Sequence, residues 1–148
     1  MNHISLGGLD VSRIGLGLGI GFVPYSPLGH GFLTGKIRSP DELADDDWRQ
    51  TNPRFTAGNF EKNLRIVDEV EAVASEVDAT PAQVALAWLL AQGNDIAPIP
   101  GTKRVSRVEE NTAADGLELS AEQVQRLNDL TPATGERHEE TNMARIER

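Results

Sequence analysis

Glycine recurs at every second position from Gly15 to Gly21 in the run Gly15-Leu-Gly-Leu-Gly-Ile-Gly-Phe-Val-Pro-Tyr25. Alternate residues of a strand point to the same side, so a strand built on this run carries no side chain on one face. Its solid part is predicted over Ile20 to Tyr25. Upstream, Gly7-Gly8 separates two short arms of alternating apolar residues between Ile4 and Ile14, which reads as a β-hairpin.

Downstream, glycines, prolines and the Asp45-Asp46-Asp47 run break every periodicity from Ser26 to Asn59. A stretch that long without regular structure is uncommon and often functional. Helical spacing then appears in Phe60, Leu64, Val67, Val70, Ala74 and Val77, with charged residues between them. Thr80-Pro-Ala-Gln83 supplies an N-cap, a proline at the first helical position and a capping-box glutamine for a second helix, apolar on all sides from Val84 to Ala91.

A short strand is predicted at Asp95 to Pro100, its prolines marking an end at a turn. Arg104 to Ala114 has helical potential. Ser120-Ala-Glu-Gln123 forms another capping box, with Leu119 and Val124 placed as a hydrophobic staple, for a last helix running to about Leu130. Thr131 to Arg148 is polar and aperiodic, a tail expected to be mobile or ordered only on contact.

The chain of 148 residues has the length of one domain. It has no cysteine, which removes disulfides, thiolate metal sites and a cysteine nucleophile and suits a cytoplasmic location. No stretch approaches the roughly 18 apolar residues of a membrane span, so no membrane partner is expected. A formal charge of −9 opposes binding to nucleic acid, and any polyanion must find a local basic site.

Several motifs fail on spacing. No start within Gly15 to Gly21 gives Gly-x-Gly-x-x-Gly, and Gly31-Phe-Leu-Thr-Gly-Lys36 is one residue short of a phosphate loop, with Ile37 where a magnesium-binding hydroxyl belongs. His3, His30 and His138 lie far apart in sequence, without a second histidine at metal-ligand spacing, so no metal is expected. The Asp45 to Asp47 run lacks the spaced ligands of a calcium loop. Trp88 belongs to the apolar helix and reads as core. Trp48 lies in the long loop, where packing or a pocket wall would both suit it.

Two segments make chemical sense together. Pro24-Tyr-Ser-Pro-Leu-Gly-His-Gly-Phe-Leu-Thr-Gly35 follows a strand and offers glycine backbone for a pyrophosphate, the Ser26 hydroxyl, and the Tyr25 face for a planar ring. Pro98-Ile-Pro-Gly-Thr-Lys-Arg104 also follows a strand, and leads to Ser106, Arg107, Glu110 and Asn111. Lys103 and Arg107 are four apart, one helical turn, so both are expected to face one phosphate near a helix start. The same pattern, taken alone, also suits solvated helix-end cations and turn glycines.

The words Tyr25 to Gly35, Thr80 to Trp88, and Pro98 to Lys103 through Glu109-Glu-Asn111 resemble the C-terminal part of an aldo-keto reductase, and Ile4 to Gly17 resembles that family's N-terminal hairpin and first-strand start. The resemblance implies an α/β fold drawn from a (β/α)8 TIM barrel and a family reaction of NADPH-dependent carbonyl reduction. Such barrels typically need about 250 residues. Within Gly15 to Gly21 the N-terminal word passes straight into the word of the seventh strand, so the expectation is an internally truncated, partial barrel forming a single domain. It would comprise the hairpin and first-strand start (1–19), a nucleotide-binding part holding the last two βα units and a C-terminal helix (20–130), and the tail (131–148).

By this resemblance Tyr25 would stack on nicotinamide, Ser26, Leu28, Gly29 and His30 would flank the pyrophosphate, and Gly101, Thr102, Lys103 and Arg107 would hold the 2′-phosphate of NADP(H). Glu110 and Asn111 would meet the adenine. The family's catalytic Asp, Tyr, Lys and His find no counterparts, so weak or lost cofactor binding without turnover is expected. The alternative is a non-catalytic interaction or regulatory module, because a quarter barrel leaves strand edges and apolar faces uncovered and so favours self-association or a partner chain.

Overall fold

The computed structural model describes residues 3–6, 9–12, 21–56 and 58–138. The chain opens with an antiparallel hairpin, β1 (His3–Leu6) and β2 (Leu9–Ser12), in which Leu6 pairs with Leu9 and His3 with Ser12. The register agrees with a connection at Gly7-Gly8. Those two glycines, the glycine repeat up to Ile20 and the tail beyond His138 lie outside the described residues.

The two strand segments expected at 20–25 and 95–100 pair in parallel, Phe22 with Ile96 and Tyr25 with Ile99. Phe22 N–H donates to Asp95 O at 2.7 Å, Ala97 N–H to Phe22 O at 2.9 Å, and Ile99 N–H to Pro24 O at 3.4 Å. Pro24 has no N–H to offer, and here only its carbonyl is used. Side chains alternate: Pro24 and Ile96 are buried, while Val23, Tyr25 and Ile99 are 55%, 61% and 51% exposed on the other side. The pairing is brief, two bridges rather than long strands.

Between these segments stand α1 (Asn59–Glu76) and α2 (Pro81–Leu90). Gly58, at φ +83°, enters α1 and its N–H donates to the Glu61 carboxylate at 2.7 Å. Asp78, at φ +51°, closes α1 in the left-handed region, and Ala79 N–H reaches back to Ala74 O at 3.0 Å. The next residue, Thr80, begins the capping box read from the sequence: Thr80 N–H donates to Gln83 Oε1 at 2.9 Å and Gln83 N–H to Thr80 Oγ1 at 3.3 Å. One core joins Val70, Val73 and Ala74 of α1 to Val84, Trp88 and Leu89 of α2, with Ile96 and Leu127. Trp88 is core, as expected, and its indole N–H donates to Asn128 Oδ1 at 2.9 Å.

Helix α3 (Val105–Thr112) runs on into a 3-10 turn, Ala113–Gly116, and α4 (Ala121–Asn128) starts at the Ser120 capping box. Leu119 and Val124 each pack against the core. Arg126 of α4 clamps α1 through Glu69 at 2.5 Å and Glu76 at 2.6 Å. Helix α4 ends at Asn128, two residues before the expected Leu130. No helix among the described residues is long and apolar enough to cross a membrane.

One expectation is corrected. The stretch after Ser26 is ordered by 3-10 turns at Gly29–Thr34, Pro40–Glu42 and Trp48–Thr51. It is held because Phe32, Leu43 and Phe55 pack on Phe60 and Val67 of α1, Phe32 meeting Phe55 and Phe60 edge to face at 5.4 and 5.2 Å. In the tail, residues 131–138 lie as a strap against α1 and the loop, ordered by contact. Asn63, 1% exposed, exchanges hydrogen bonds with the Thr134 backbone, and Arg65 Nη2 donates to Thr131 O and Pro132 O. Gly135, at φ +96°, lets the strap approach Pro53 O, which a Cβ would meet at 2.6 Å.

Candidate functional site

The loops that leave the two paired segments converge on one open cleft of about 690 Å³. Tyr25, Ser26, Leu28 and His30 line it from the first loop, and Gly101, Thr102, Arg107 and Asn111 from the second, with Pro27, Gly31, Thr34, Ile99 and Pro100 between them. Gly29, Lys103 and Glu110 are not among the lining residues. Gly29 instead closes the turn, its N–H donating to Ser26 O at 2.9 Å.

The first loop is tightly wound. Ser26, Gly29, His30 and Gly31 all have positive φ, of which Ser26 (+51°) and His30 (+58°) carry side chains into a region that L residues visit at a cost of about 1–2 kcal/mol each. Local bonds hold them there. Ser26 Oγ lies 3.0 Å from His30 Nδ1 and accepts the His30 backbone N–H at 3.2 Å, while Arg49 Nη1 donates to His30 O at 3.0 Å. Arg49 is itself aligned by Asp47, at 2.6 Å, whose carboxyl it pulls down to a pKa of about 2.

His30 meets Trp48 edge to face at 4.7 Å, so Trp48 packs on the wall of this loop while 53% exposed. Histidines far apart in sequence are brought together here, with His30 and His138 rings 5.9 Å apart. Burial first, then the positive surroundings of His138, Arg137, Arg49 and Arg54, lowers His30 to a pKa of about 4. The imidazole is therefore neutral at pH 7, a hydrogen-bonding group rather than a cation.

On the second loop the expected geometry is corrected. Helix α3 begins at Val105, and Arg104 at its N-cap is extended at φ −115°, ψ +130°. Lys103 therefore precedes the helix and does not share a helical face with Arg107. Thr102 Oγ1 accepts Arg104 N–H at 3.2 Å and fixes the entry. Arg107 reaches the cleft already paired, its Nη1 2.6 Å from Glu110 Oε2. Glu110 also ties α3 to α2, its backbone carbonyl accepting from Gln83 Nε2 at 3.1 Å.

Two residues that position the site carry no motif signal. Arg137 of the strap donates to Tyr25 O at 3.0 Å, and Asn52, 3% exposed, donates to Arg137 O at 3.1 Å. Asn63 was open to discovery as a polar residue on the buried face of α1, one turn after Phe60.

Residues 10–132 match the Aldo/keto reductase family. Aldo-keto reductase yakc (NADP(+)) of Schizosaccharomyces pombe is 49% identical over 110 residues, 74% of this chain and 32% of that protein. Aldo-keto reductase str7 of Strobilurus tenacellus is 45% identical over 113 residues, 76% of this chain and 34% of that one. The solved glycerol dehydrogenase AKR11B4 from Gluconobacter oxydans superposes with a TM-score of 0.71 at 28% identity, over 81% of this chain and 36% of that chain. That likeness supports a partial barrel fold, and the chain spans about a third of the length of the relatives it matches. With the family match running through both cleft loops, this chain belongs to the aldo/keto reductase family.

Proposed function

We propose that the cleft binds NADP(H), and that the chain is the nucleotide-binding end of a truncated reductase, formed by the hairpin, the last two βα units of the barrel and the C-terminal helix, without carbonyl turnover of its own. The observation that carries this reading is the convergence of the Tyr25–Thr34 and Ile99–Asn111 segments on one cleft. The groups fit a dinucleotide: the exposed Tyr25 ring suits nicotinamide, the glycine-rich turn from Ser26 through Leu28 and Gly29 to His30 suits the pyrophosphate, and Gly101, Thr102 and Arg107 suit the 2′-phosphate. The backbone N–H groups of Val105 and Ser106, at the start of α3, add to the attraction.

Lys103 contributes from the extended entry, where it is exposed. Arg107 meets the phosphate in competition with Glu110, and Asn111 borders the adenine end together with Glu110. When bound, the reduced nucleotide supplies the hydride of the family reaction. The relative yakc carries NADP(+) in its name, which favours the phosphorylated form. Calorimetric titration of the intact chain with NADPH tests the reading: saturable one-to-one binding is expected, and the absence of saturable binding would sink it. Carbonyl-dependent NADPH oxidation by the chain alone would contradict the second half.

A second reading, an interaction module, is favoured by one observation. Val23, Tyr25 and Ile99 share the uncovered side of the paired segments, and Val105 and Val108 are also exposed. Self-association through that side would appear as a concentration-dependent sedimentation coefficient.

A further inference from the structure

The cleft and the strap meet at one peptide group. Tyr25 is 61% exposed, so its ring is placed by its backbone rather than by packing. On one side the bridge from Tyr25 to Ile99 sets that backbone. On the other, Arg137 Nη2 donates to Tyr25 O at 3.0 Å and fixes the peptide that leads into Ser26, whose φ of +51° starts the strained turn. Ser26 passes the constraint on, since its Oγ accepts the His30 backbone N–H.

Arg137 is held in its turn. Asn52, 3% exposed, donates to Arg137 O at 3.1 Å and accepts Arg54 N–H at 3.0 Å. His138 meets His30 edge to face, and Asn63 of α1 pins Thr134. The strap therefore runs from a buried amide of α1 to the root of the first cleft loop. A small cavity between them is lined by Ser26, Pro27 and His30 of that loop and by Ala133 and Arg137 of the strap, and none of the described residues lining it comes from the Ile99–Asn111 segment.

We propose that Arg137 is a positioning residue for the nicotinamide end of the cleft, and that docking of the strap and binding of the nucleotide favour one another. The inference rests on the NADP(H) reading of the cleft for its ligand. Arg137 acts through the Tyr25–Ser26 peptide: with the strap docked, the Tyr25 ring and the Ser26–His30 turn stand preformed, and binding carries no cost of ordering them. Coupling between two sites is reciprocal, so bound nucleotide tightens the strap by the factor by which the strap tightens the nucleotide. The 2′-phosphate end, at Gly101, Thr102 and Arg107, stands outside this coupling.

Two ligands separate the ends: NADPH spans the cleft, and adenosine 2′,5′-bisphosphate carries only the adenine and 2′-phosphate end. Hydrogen exchange at 131–138 in the unmutated chain should slow at saturating NADPH and stay unchanged at saturating bisphosphate. By calorimetry, Arg137→Ala should weaken NADPH about fivefold, the factor for one hydrogen bond, and leave the bisphosphate unchanged. Arg137→Lys, which keeps a cationic donor, should recover part of the loss. Strap exchange that NADPH binding leaves unchanged would overturn the inference while the nucleotide reading stands, and it is read in the unmutated chain even if the variants do not fold. Equal weakening of both ligands in Arg137→Ala would overturn it too, by showing a general loosening of the fold. A chain that binds neither ligand would overturn the nucleotide reading and this inference with it.

Discussion

Arg107 Nη1 sits 2.6 Å from Glu110 Oε2, one turn along α3, so the arginine of the cleft is held in place by an ion pair of its own helix. A 2′-phosphate would have to compete with that carboxylate, and its two charges and three acceptor oxygens suit it to do so. Arg107→Ala is expected to weaken NADPH at least tenfold and NADH little, read by calorimetry. Equal weakening of both nucleotides would remove the 2′-phosphate assignment.

Asn63 of α1 holds the strap by two bonds across 71 positions of sequence, accepting from Thr134 N–H at 2.7 Å and donating to Thr134 O at 2.9 Å. Asn63→Leu leaves these backbone groups and Arg54 O without their partner, at a cost of about 2–4 kcal/mol. Denaturant melts should show that loss, and limited proteolysis should newly cut within 131–138. Unchanged protection of the strap would mean that it is held by other contacts.

Gly135→Ala tests the same strap from its own side. The added Cβ meets Pro53 O, which is backbone and cannot swing aside, at a residue already at φ +96°. Destabilisation of about 1–3 kcal/mol is expected, with hydrogen exchange rising at Thr134 and Gly135. Neutral behaviour would contradict the close approach.

His30 makes stability depend on pH. Its pKa is 6.5 when unfolded and about 4 when folded, so the folded state takes up the proton less readily. The stability it confers is complete above about 6.5 and is lost as pH falls from there through about 4. His30→Asn, which keeps a hydrogen-bonding side chain at the left-handed position, should flatten the fall in Tm between those limits. A fall of undiminished size would assign the acid sensitivity to carboxylates such as Asp47, which titrates lower.

The helices were legible because their signals are local. The capping boxes at Thr80 and Ser120 stand three residues from their glutamines, and α1 repeats its apolar face through Phe60, Val67, Val70 and Ala74. The two cleft loops were legible because each follows a short apolar run closed by proline. What was not legible depends on residues distant in sequence: Phe32 and Phe55 order the long loop by packing on Phe60, and Thr134 finds Asn63. The shared helical face of Lys103 and Arg107 failed for a local reason, since Thr102 caps Arg104 and sets the helix start two residues after Lys103.

Nucleotide binding to the intact chain is tested most directly by its thermal melt with and without millimolar NADPH, because a ligand that binds only the folded state raises stability by mass action. A single cooperative transition that NADPH moves upward, and moves less in Arg107→Ala, is the predicted result. A transition that NADPH leaves in place would contradict a working nucleotide site in this cleft.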